Sequence, residues 1–370
     1  MSKTKKRLKT AQEEAQKAVN ETNRKIEELG SHTSVLYDSL CSIQSIFDKI
    51  RNLPDEEKLE YEKIKEITLQ WKQQVETIEK DHKNAMVKGA GAGIAGAGLG
   101  VAVVAMGPTA AMGVATTFGV ASTGTAISSL SGAAATNAAL AWLGGGALAA
   151  GGGGMAAGEA FLALAGPIGW TIAGVSVLVS GILFWKSKSD IERILNVFIL
   201  ISERDIKSYE LAIVELNERI ARIKDENQKL IKAVEKIKSF GFDYSKMTEE
   251  QQYELGAYVN LMLSSTQLLV NPIIGLQPKY TGEDFDKFLS WSKRKTDIKI
   301  CNEYKDIIIS LSNLLYKISL DDRDKNLLWK SLRKNKKMLE GFHVKKKEFD
   351  FDIINAVCEA LNYKYSLNCL

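Results

Sequence analysis

The side chains best suited to bind zinc are four cysteines and three histidines. A zinc site needs such residues in close pairs, for example two cysteines two to four positions apart. The cysteines form no such pair and none lies beside a histidine; they are Cys41, Cys301, Cys358 and Cys369. The chain also lacks the phosphate-binding glycine loop, the nucleophile-elbow pattern and the paired-histidine zinc pattern. The sequence therefore predicts no metal site, no cofactor and no enzymatic activity.

A basic cluster near the C-terminus could bind an anionic partner. It places seven cations within fifteen residues, namely Arg333, Lys334, Lys336, Lys337, Lys345, Lys346 and Lys347. Cations at this density can bind anionic lipid head groups. Each one contributes roughly 1 kcal/mol of binding free energy near a membrane surface. A solvated basic helix end accounts for the cluster equally well. Because the net charge is only +4 and no recognised nucleic-acid module surrounds the cluster, nucleic acid is not expected as a partner.

The most unusual stretch of the chain is residues 88–185, which we call the uncharged segment. From Gly89 to Trp185 it holds one ionisable side chain, Glu159, and 23 of the 29 glycines. Ordinary domains carry about a quarter charged residues. Its last 26 residues, 160–185, exceed the roughly 20 that a membrane-crossing helix needs, and they end in a tryptophan followed closely by two lysines. This end of the segment is therefore predicted to span a membrane.

Several glycines of the uncharged segment are spaced four residues apart. On a helix, this spacing puts them on one face, where a second helix can approach closely. The residues predicted to serve membrane insertion and packing are Gly89, Gly93, Gly96, Gly100, Gly154, Gly158, Trp170 and Trp185. In water, each helix-interior glycine costs about 1 kcal/mol relative to alanine, so such a helix needs a partner. Glu159 either lines a lumen and titrates during insertion, or lies in the first turn of the next helix, where negative charge is favoured.

Lysines flank both ends of the uncharged segment, which favours an even number of crossings, between two and four in all. The segment is less hydrophobic than an ordinary membrane anchor. It is therefore expected to be buried in solution and to insert later. The alternative is that these small side chains are permanently packed inside a helical protein.

A heptad seam predicts one long helix over residues 186–240. Apolar residues recur at alternating spacings of three and four from Ile206 to Ile237. Asn227 occupies one seam position, where a buried amide can fix the helix register. The expected partner is the apolar face of Ile64 to His82 with the helices upstream of it, antiparallel within one molecule. The alternative is a coiled coil between two molecules.

These patterns predict an elongated all-α protein in four parts. Residues 1–87 form a helical arm in which one helix ends at Gly30 and the next begins at Ser31 or Thr33. The uncharged segment and the long helix 186–240 follow. Residues 241–370 form a small helical bundle, with helix starts at Thr248 and Thr281.

The first twenty residues are charged and lack the apolar run and cleavage site of a secretory signal peptide. The chain is therefore expected in the cytoplasm, or exported by a route that needs no such signal, and afterwards at a membrane.

Two long helical arms that flank an uncharged hairpin resemble the α-helical pore-forming toxins of the cytolysin A, haemolysin BL and non-haemolytic enterotoxin type. The arms here are the seams at 64–82 and 206–237. The likeness is one of architecture and covers about two thirds of the chain. The stretch ATNAALAWLGGGALAAGGGGMAAG is also similar to the glycine zippers of membrane-depolarising bacterial toxins, and apolipoprotein-L-like proteins share the general plan. The resemblance implies a soluble form that releases its hairpin, forms a homo-oligomer and perforates a membrane.

The sequence thus favours a non-enzymatic, conditionally membrane-inserting protein that permeabilises a bilayer, as a toxin or as an effector of bacterial antiviral defence. The arms would store the hairpin, and the C-terminal bundle would bind a trigger or a protein partner. One alternative is a constitutive inner-membrane protein with a coiled-coil scaffold. Another is a soluble helical interaction module with a core rich in glycine and alanine.

Overall fold

The computed structural model describes residues 3–91, 108–118, 187–334, 339, 342 and 344–367. The regular structure of these residues is helical, without a strand among them, and the predicted all-α class is confirmed. The helices are α1 (Lys3–Phe47), α2 (Asp55–Gly91), α3 (Pro108–Phe118), α4 (Lys188–Lys238), α5 (Glu249–Val270), α6 (Gly282–Leu289), α7 (Ile298–Glu303), α8 (Lys305–Leu315), α9 (Asp322–Lys334) and α10 (Phe351–Leu367).

The helix starts follow local side-chain chemistry. Thr248 and Thr281 each close a capping box at the start of α5 and α6, as the sequence predicts. The hydroxyl oxygen of Ser187 accepts a hydrogen bond from the backbone N–H of Asp190 (3.3 Å) and so caps α4. Helix α2 follows Pro54 with three acidic residues in its first turn, where the helix dipole favours negative charge.

Helix α1 is continuous through Gly30, so the predicted break there is wrong. The two residues that were expected to cap a new helix instead form hydrogen bonds to the preceding turn of the same helix. The Ser31 and Thr33 hydroxyls donate to the carbonyls of Glu27 (3.2 Å) and Leu29 (2.5 Å), four residues earlier. Gly30 has a packing role that its sequence neighbours do not reveal.

The main partner of α4 is α1, and the two helices run parallel. Arg7 pairs with Glu203 near one end (2.7 Å), and the Arg51 N–H donates to the Phe242 carbonyl just beyond the other (2.9 Å). The sequence prediction named Ile64 to His82 and the helices upstream of it as antiparallel partners; the upstream helix α1 is a partner, but the predicted antiparallel direction is wrong for it. It is α2 that runs antiparallel to α1, because the turn after α1 reverses the chain and brings the Tyr61 hydroxyl to the Gln44 carbonyl (2.8 Å).

The buried positions on α4 deviate from the predicted seam. Ile206, Ile213 and Val234 are only partly buried, whereas Ala212 and Ala233 are fully covered. At Ala212, the small side chain lets Gly275, after α5, approach the α4 backbone: a Cβ atom added to Gly275 would lie 3.3 Å from the Ala212 Cα atom. Asn227 is partly buried between Ile223 and Leu230, which are fully buried.

The described residues form two apolar cores. The first core is shared by α1, α2, α3, α5 and the later part of α4. The second core surrounds the first turns of α4 with helices α6 to α10. Helix α5 thus packs with the N-terminal helices, and the division between the cores does not fall at the predicted boundary after residue 240. The long helix α4 belongs to both cores and connects them.

Candidate docking site for part of the uncharged segment

Helix α3 is a piece of the uncharged segment, and it lies inside the first core. Its seven consecutive residues from Ala111 to Thr117 are all buried, whereas Thr109 is exposed. The helix packs against α1, α2 and α5. We call this arrangement the α3 docking site.

Two glycines, one on each helix, let α1 and α3 approach each other closely in the docking site. A Cβ atom added to Gly30 would overlap the Thr109 carbonyl oxygen and would lie 2.8 Å from the Gly113 nitrogen. A Cβ atom added to Gly113 would overlap the Ile26 carbonyl oxygen. The backbones of α1 and α3 therefore touch directly, which requires glycine on both helices.

The C-terminal end of α3 is held by the chain that follows α5. The Thr117 carbonyl accepts hydrogen bonds from the Ile273 N–H (2.8 Å) and from the Gln277 side-chain amide (3.3 Å). These donors belong to residues 271–280, which we call the strap. Carbonyls at a helix end lack partners within the helix, so the strap supplies one that the docked helix needs.

The strap itself is anchored at three points. The Arg219 guanidinium donates to the Asn271 carbonyl (2.8 Å), and a Glu215 carboxylate oxygen accepts from the Gly275 N–H (3.0 Å). At the far end, the Asn313 side chain accepts from the backbone N–H groups of Lys279 (2.8 Å) and Tyr280 (2.9 Å). Burial lowers the pKa of Arg219 and of Lys279. Both cores therefore contribute to the position of the strap.

One buried polar group opposes the docking of α3. The Thr116 hydroxyl is fully buried and has no hydrogen-bond partner among the described residues. The neighbouring Thr117 hydroxyl donates to the Gly113 carbonyl (2.8 Å). A buried hydroxyl without a partner costs about 1–3 kcal/mol, so the docked state is weaker than its packing alone would make it.

This difference gives a testable prediction. Thr116→Val should strengthen docking by about 1 kcal/mol, because it removes an unsatisfied group and keeps the side-chain shape. Thr117→Val is the matched control, because it removes a hydroxyl that already has a partner and should not strengthen docking. Hydrogen exchange of a peptide covering 108–118 should slow about fivefold in the first variant only. Equal exchange in both variants would contradict the role given to Thr116.

Where the uncharged segment ends, the chain is fastened to α9. Arg193 in the first turns of α4 pairs with Asp324 (2.5 Å) and also with Asp321. Asp190 pairs with Arg323 (2.6 Å). These pairs fix the start of α4, and thus the point at which the chain leaves the uncharged segment, against the C-terminal helices.

Most residues predicted to serve insertion and packing lie outside the described residues. These are Gly93, Gly96, Gly100, Gly154, Gly158, Glu159, Trp170 and Trp185. Gly89 lies in the last turns of α2. The glycines that the structure shows in close helix packing are Gly30 and Gly113, which the sequence reasoning missed. A sequence pattern could have indicated Gly30: it continues the narrow face of α1 that carries Ala15, Ala18, Thr22 and Ile26, at the same spacing of three or four residues.

The other predicted residues are placed as follows. The Asn227 side-chain oxygen is buried and has no partner in the described part of the chain, so its role in register stays a prediction. Of the basic cluster, Lys336 and Lys337 lie outside the described residues, and the other five cations lie at the end of α9 and in the turn before α10. No group of three His, Cys, Asp or Glu side chains suited to a metal ion occurs among the residues described.

By length and composition, one described stretch could cross a membrane. It is Glu249–Leu276, which comprises α5 and the first part of the strap, and its most apolar window of 18 residues has a mean hydropathy of 1.3. Half of its most apolar window is buried, and α5 contributes to the first core. A core helix of a soluble protein meets the same criteria, so α5 carries little weight as a membrane span.

Comparisons of the chain with protein-family models, with curated proteins and with solved structures found no match. The resemblance to helical pore-forming toxins therefore stays a prediction from architecture.

Proposed function

We propose that this protein is a non-enzymatic, conditionally membrane-inserting helical protein that permeabilises a bilayer. The observation that carries the proposal is the α3 docking site, in which a helix of the uncharged segment is buried in a bundle of charged, amphipathic helices. A water-soluble store for apolar helices is what a protein needs if it inserts only after a trigger.

The local energetics support reversible storage. Helix α3 has 11 residues, and an isolated helix shorter than about 12–15 residues is marginal in water. Its docked form therefore depends on the bundle and the strap. The unpartnered Thr116 hydroxyl weakens that form, so a trigger needs to supply less free energy to release it.

Different parts of the chain serve storage, insertion and triggering in this function. Helices α1, α2, α4 and α5 store α3, and residues 160–185 cross the bilayer after release. The second core carries the binding surface for a trigger or partner, and subunits assemble into a homo-oligomer in the membrane. Arg193 and Asp190 connect the start of α4 to the second core, so binding there can reach the end of the uncharged segment.

Dye release from lipid vesicles tests this function. Wild-type protein should release an entrapped dye, and the double variant Ile172→Asp with Leu178→Asp should release it at least a hundredfold more slowly. Each aspartate in the middle of residues 160–185 costs about 2.5–3.5 kcal/mol at the centre of a bilayer.

Leu211→Asp with Val214→Asp is the matched control. Both side chains lie on the surface of α4, at 65% and 63% exposure, so the same chemical change carries no insertion penalty there. Wild-type protein that leaves every vesicle intact, or equal release by both double variants, would contradict the proposal.

A further inference from the structure

The C-terminal basic cluster is part of a larger basic surface. The stretch 325–347 contains nine lysines and arginines but one acidic residue, Glu340. In the structure, Lys330 and Lys334 lie on the exposed side of α9, while Lys345, Lys346 and Lys347 are exposed in the turn before α10. We call these five lysines, together with Arg333, the basic surface.

Arg333 joins the two parts of this surface. Its Nε donates to the Lys346 carbonyl (3.0 Å), and its guanidinium lies over the Trp329 ring, 5.0 Å from the centroid. Trp329 is in turn fixed by a hydrogen bond from its ring N–H to the Phe349 carbonyl (3.1 Å). The turn is therefore held against the end of α9, and its lysines share a defined surface.

Three lysines of the surface face no carboxylate of the described residues, and a fourth makes only a long ion pair. Lys345 lies 3.8 Å from Glu348, a loose ion pair. Lys330, Lys346 and Lys347 are exposed and have no ion-pair partner within the described residues. Three cations are thus available to an external anion.

The basic surface is also connected to the end of the uncharged segment. Arg323 and Lys330 are seven residues apart on α9, and Lys334 follows after four more, so the three lie near one side of the helix. Arg323 holds Asp190 at the start of α4. Arg323, which holds the start of α4, therefore lies about 10 Å from Lys330 and about 16 Å from Lys334 along the axis of α9.

We infer that the basic surface docks on anionic lipid head groups and holds the end of the uncharged segment next to the bilayer. The inference rests on the proposed function, which requires the uncharged segment to reach a membrane. Lipid is favoured over other polyanions because the helix that carries Lys330 and Lys334 also holds the start of α4, which follows a stretch of 97 residues, 89–185, with one ionisable group. A lysine-rich surface in which Arg333 lies over the partly buried Trp329 suits a membrane interface.

Vesicle flotation tests the inference with two triple variants. In the first, Lys330, Lys346 and Lys347 are replaced by glutamine. In the matched control, glutamine replaces Lys49, Lys58 and Lys63. These are exposed lysines near the turn between α1 and α2, the helices that contribute to the first core. Both variants lose three charges, so a general effect of net charge would be the same in both.

Wild-type protein should float with phosphatidylserine-containing vesicles and not with phosphatidylcholine vesicles, and high salt should weaken binding. The first variant should bind about a hundredfold more weakly, since each cation near the surface contributes about fivefold. The control should lose less than about fivefold. Equal losses in both variants, or equal wild-type binding to neutral vesicles, would overturn the inference. Loss of RNA binding in the first variant with unchanged vesicle binding would also overturn it.

Dye release separates this inference from the proposed function. If the first variant loses vesicle binding but wild-type protein never releases dye, the inference stands and the proposed function fails. If all three proteins release dye from neutral vesicles at the same rate, the proposed function stands and the inference fails.

Discussion

Gly30→Ala is expected to expel α3 from the bundle. The added Cβ atom would overlap the Thr109 carbonyl oxygen and lie 2.8 Å from the Gly113 nitrogen, where ordinary contacts are 3.4–4 Å. Both neighbours are backbone atoms, so neither can move aside by changing a rotamer. Overpacking against backbone costs about 3 kcal/mol or more. Because α3 is short and enters from a separate stretch of chain, it can leave while α1, α2, α4 and α5 stay packed.

Hydrogen exchange followed by mass spectrometry measures the expulsion. A peptide covering 108–118 should lose its protection by at least a hundredfold, while peptides from α1 and α4 keep theirs. Gly113→Ala should behave in the same way, because its Cβ atom would overlap the Ile26 carbonyl oxygen.

Gly256→Ala is the matched control for Gly30→Ala. Gly256 also lies inside a long helix, but open space surrounds the position of its missing Cβ atom. This variant should be unchanged or more stable by up to about 1 kcal/mol, because alanine favours helix. Full protection of 108–118 in Gly30→Ala would show that the close contact does not hold α3.

The second large effect is expected from Asn313→Ala. The Asn313 side chain is 2% exposed and makes four hydrogen bonds. Besides accepting from the N–H groups of Lys279 and Tyr280, its amide donates to the carbonyls of Tyr280 (2.7 Å) and Ile309 (3.1 Å). Alanine would leave two strap N–H groups and the Tyr280 carbonyl without this partner. The expected loss in the free energy of unfolding is about 3–5 kcal/mol.

Urea denaturation measures this loss. Asn355→Ala is the matched control, because among the described residues the Asn355 side chain bonds to Asp352 alone, within α10 (3.1 Å). This variant should change stability by less than about 1 kcal/mol. Asn313→Asp should destabilise at least as strongly as Asn313→Ala, since it turns a carboxylate oxygen toward the Tyr280 and Ile309 carbonyls and buries a charge. Wild-type stability in Asn313→Ala would show that water replaces the amide at no cost.

The helix starts and most buried faces were predictable because their causes lie within a few residues. Thr248 and Thr281 each cap a helix by hydrogen bonds with the residue three positions further along the chain. Between Ile206 and Ile237, the apolar spacing predicted six of the eight buried positions of α4. The spacing missed Ala212 and Ala233. These two alanines are buried because other parts of the chain pack on them, which the spacing of apolar residues on α4 does not specify.

Gly30 shows why the docking site was not predictable. A glycine followed by serine and threonine is also the local pattern of a helix end, and the same residues occur here inside a continuous helix. The two outcomes differ by a contact with Gly113, which is 83 positions away in the sequence. The parallel pairing of α1 with α4 was missed for a related reason, since a heptad seam defines a face but not the direction of its partner.

The amino-acid sequence by itself determined that the protein is helical, where many helices begin, and that residues 88–185 are nearly free of charge. These properties depend on local hydrogen bonds, side-chain spacing and composition. Only the tertiary structure decided that a piece of the uncharged segment is buried against Gly30, that the strap binds the end of α3, and that Arg333 fastens two basic stretches into one surface. Those features depend on distances between atoms that are remote along the chain, and no local pattern specifies such distances.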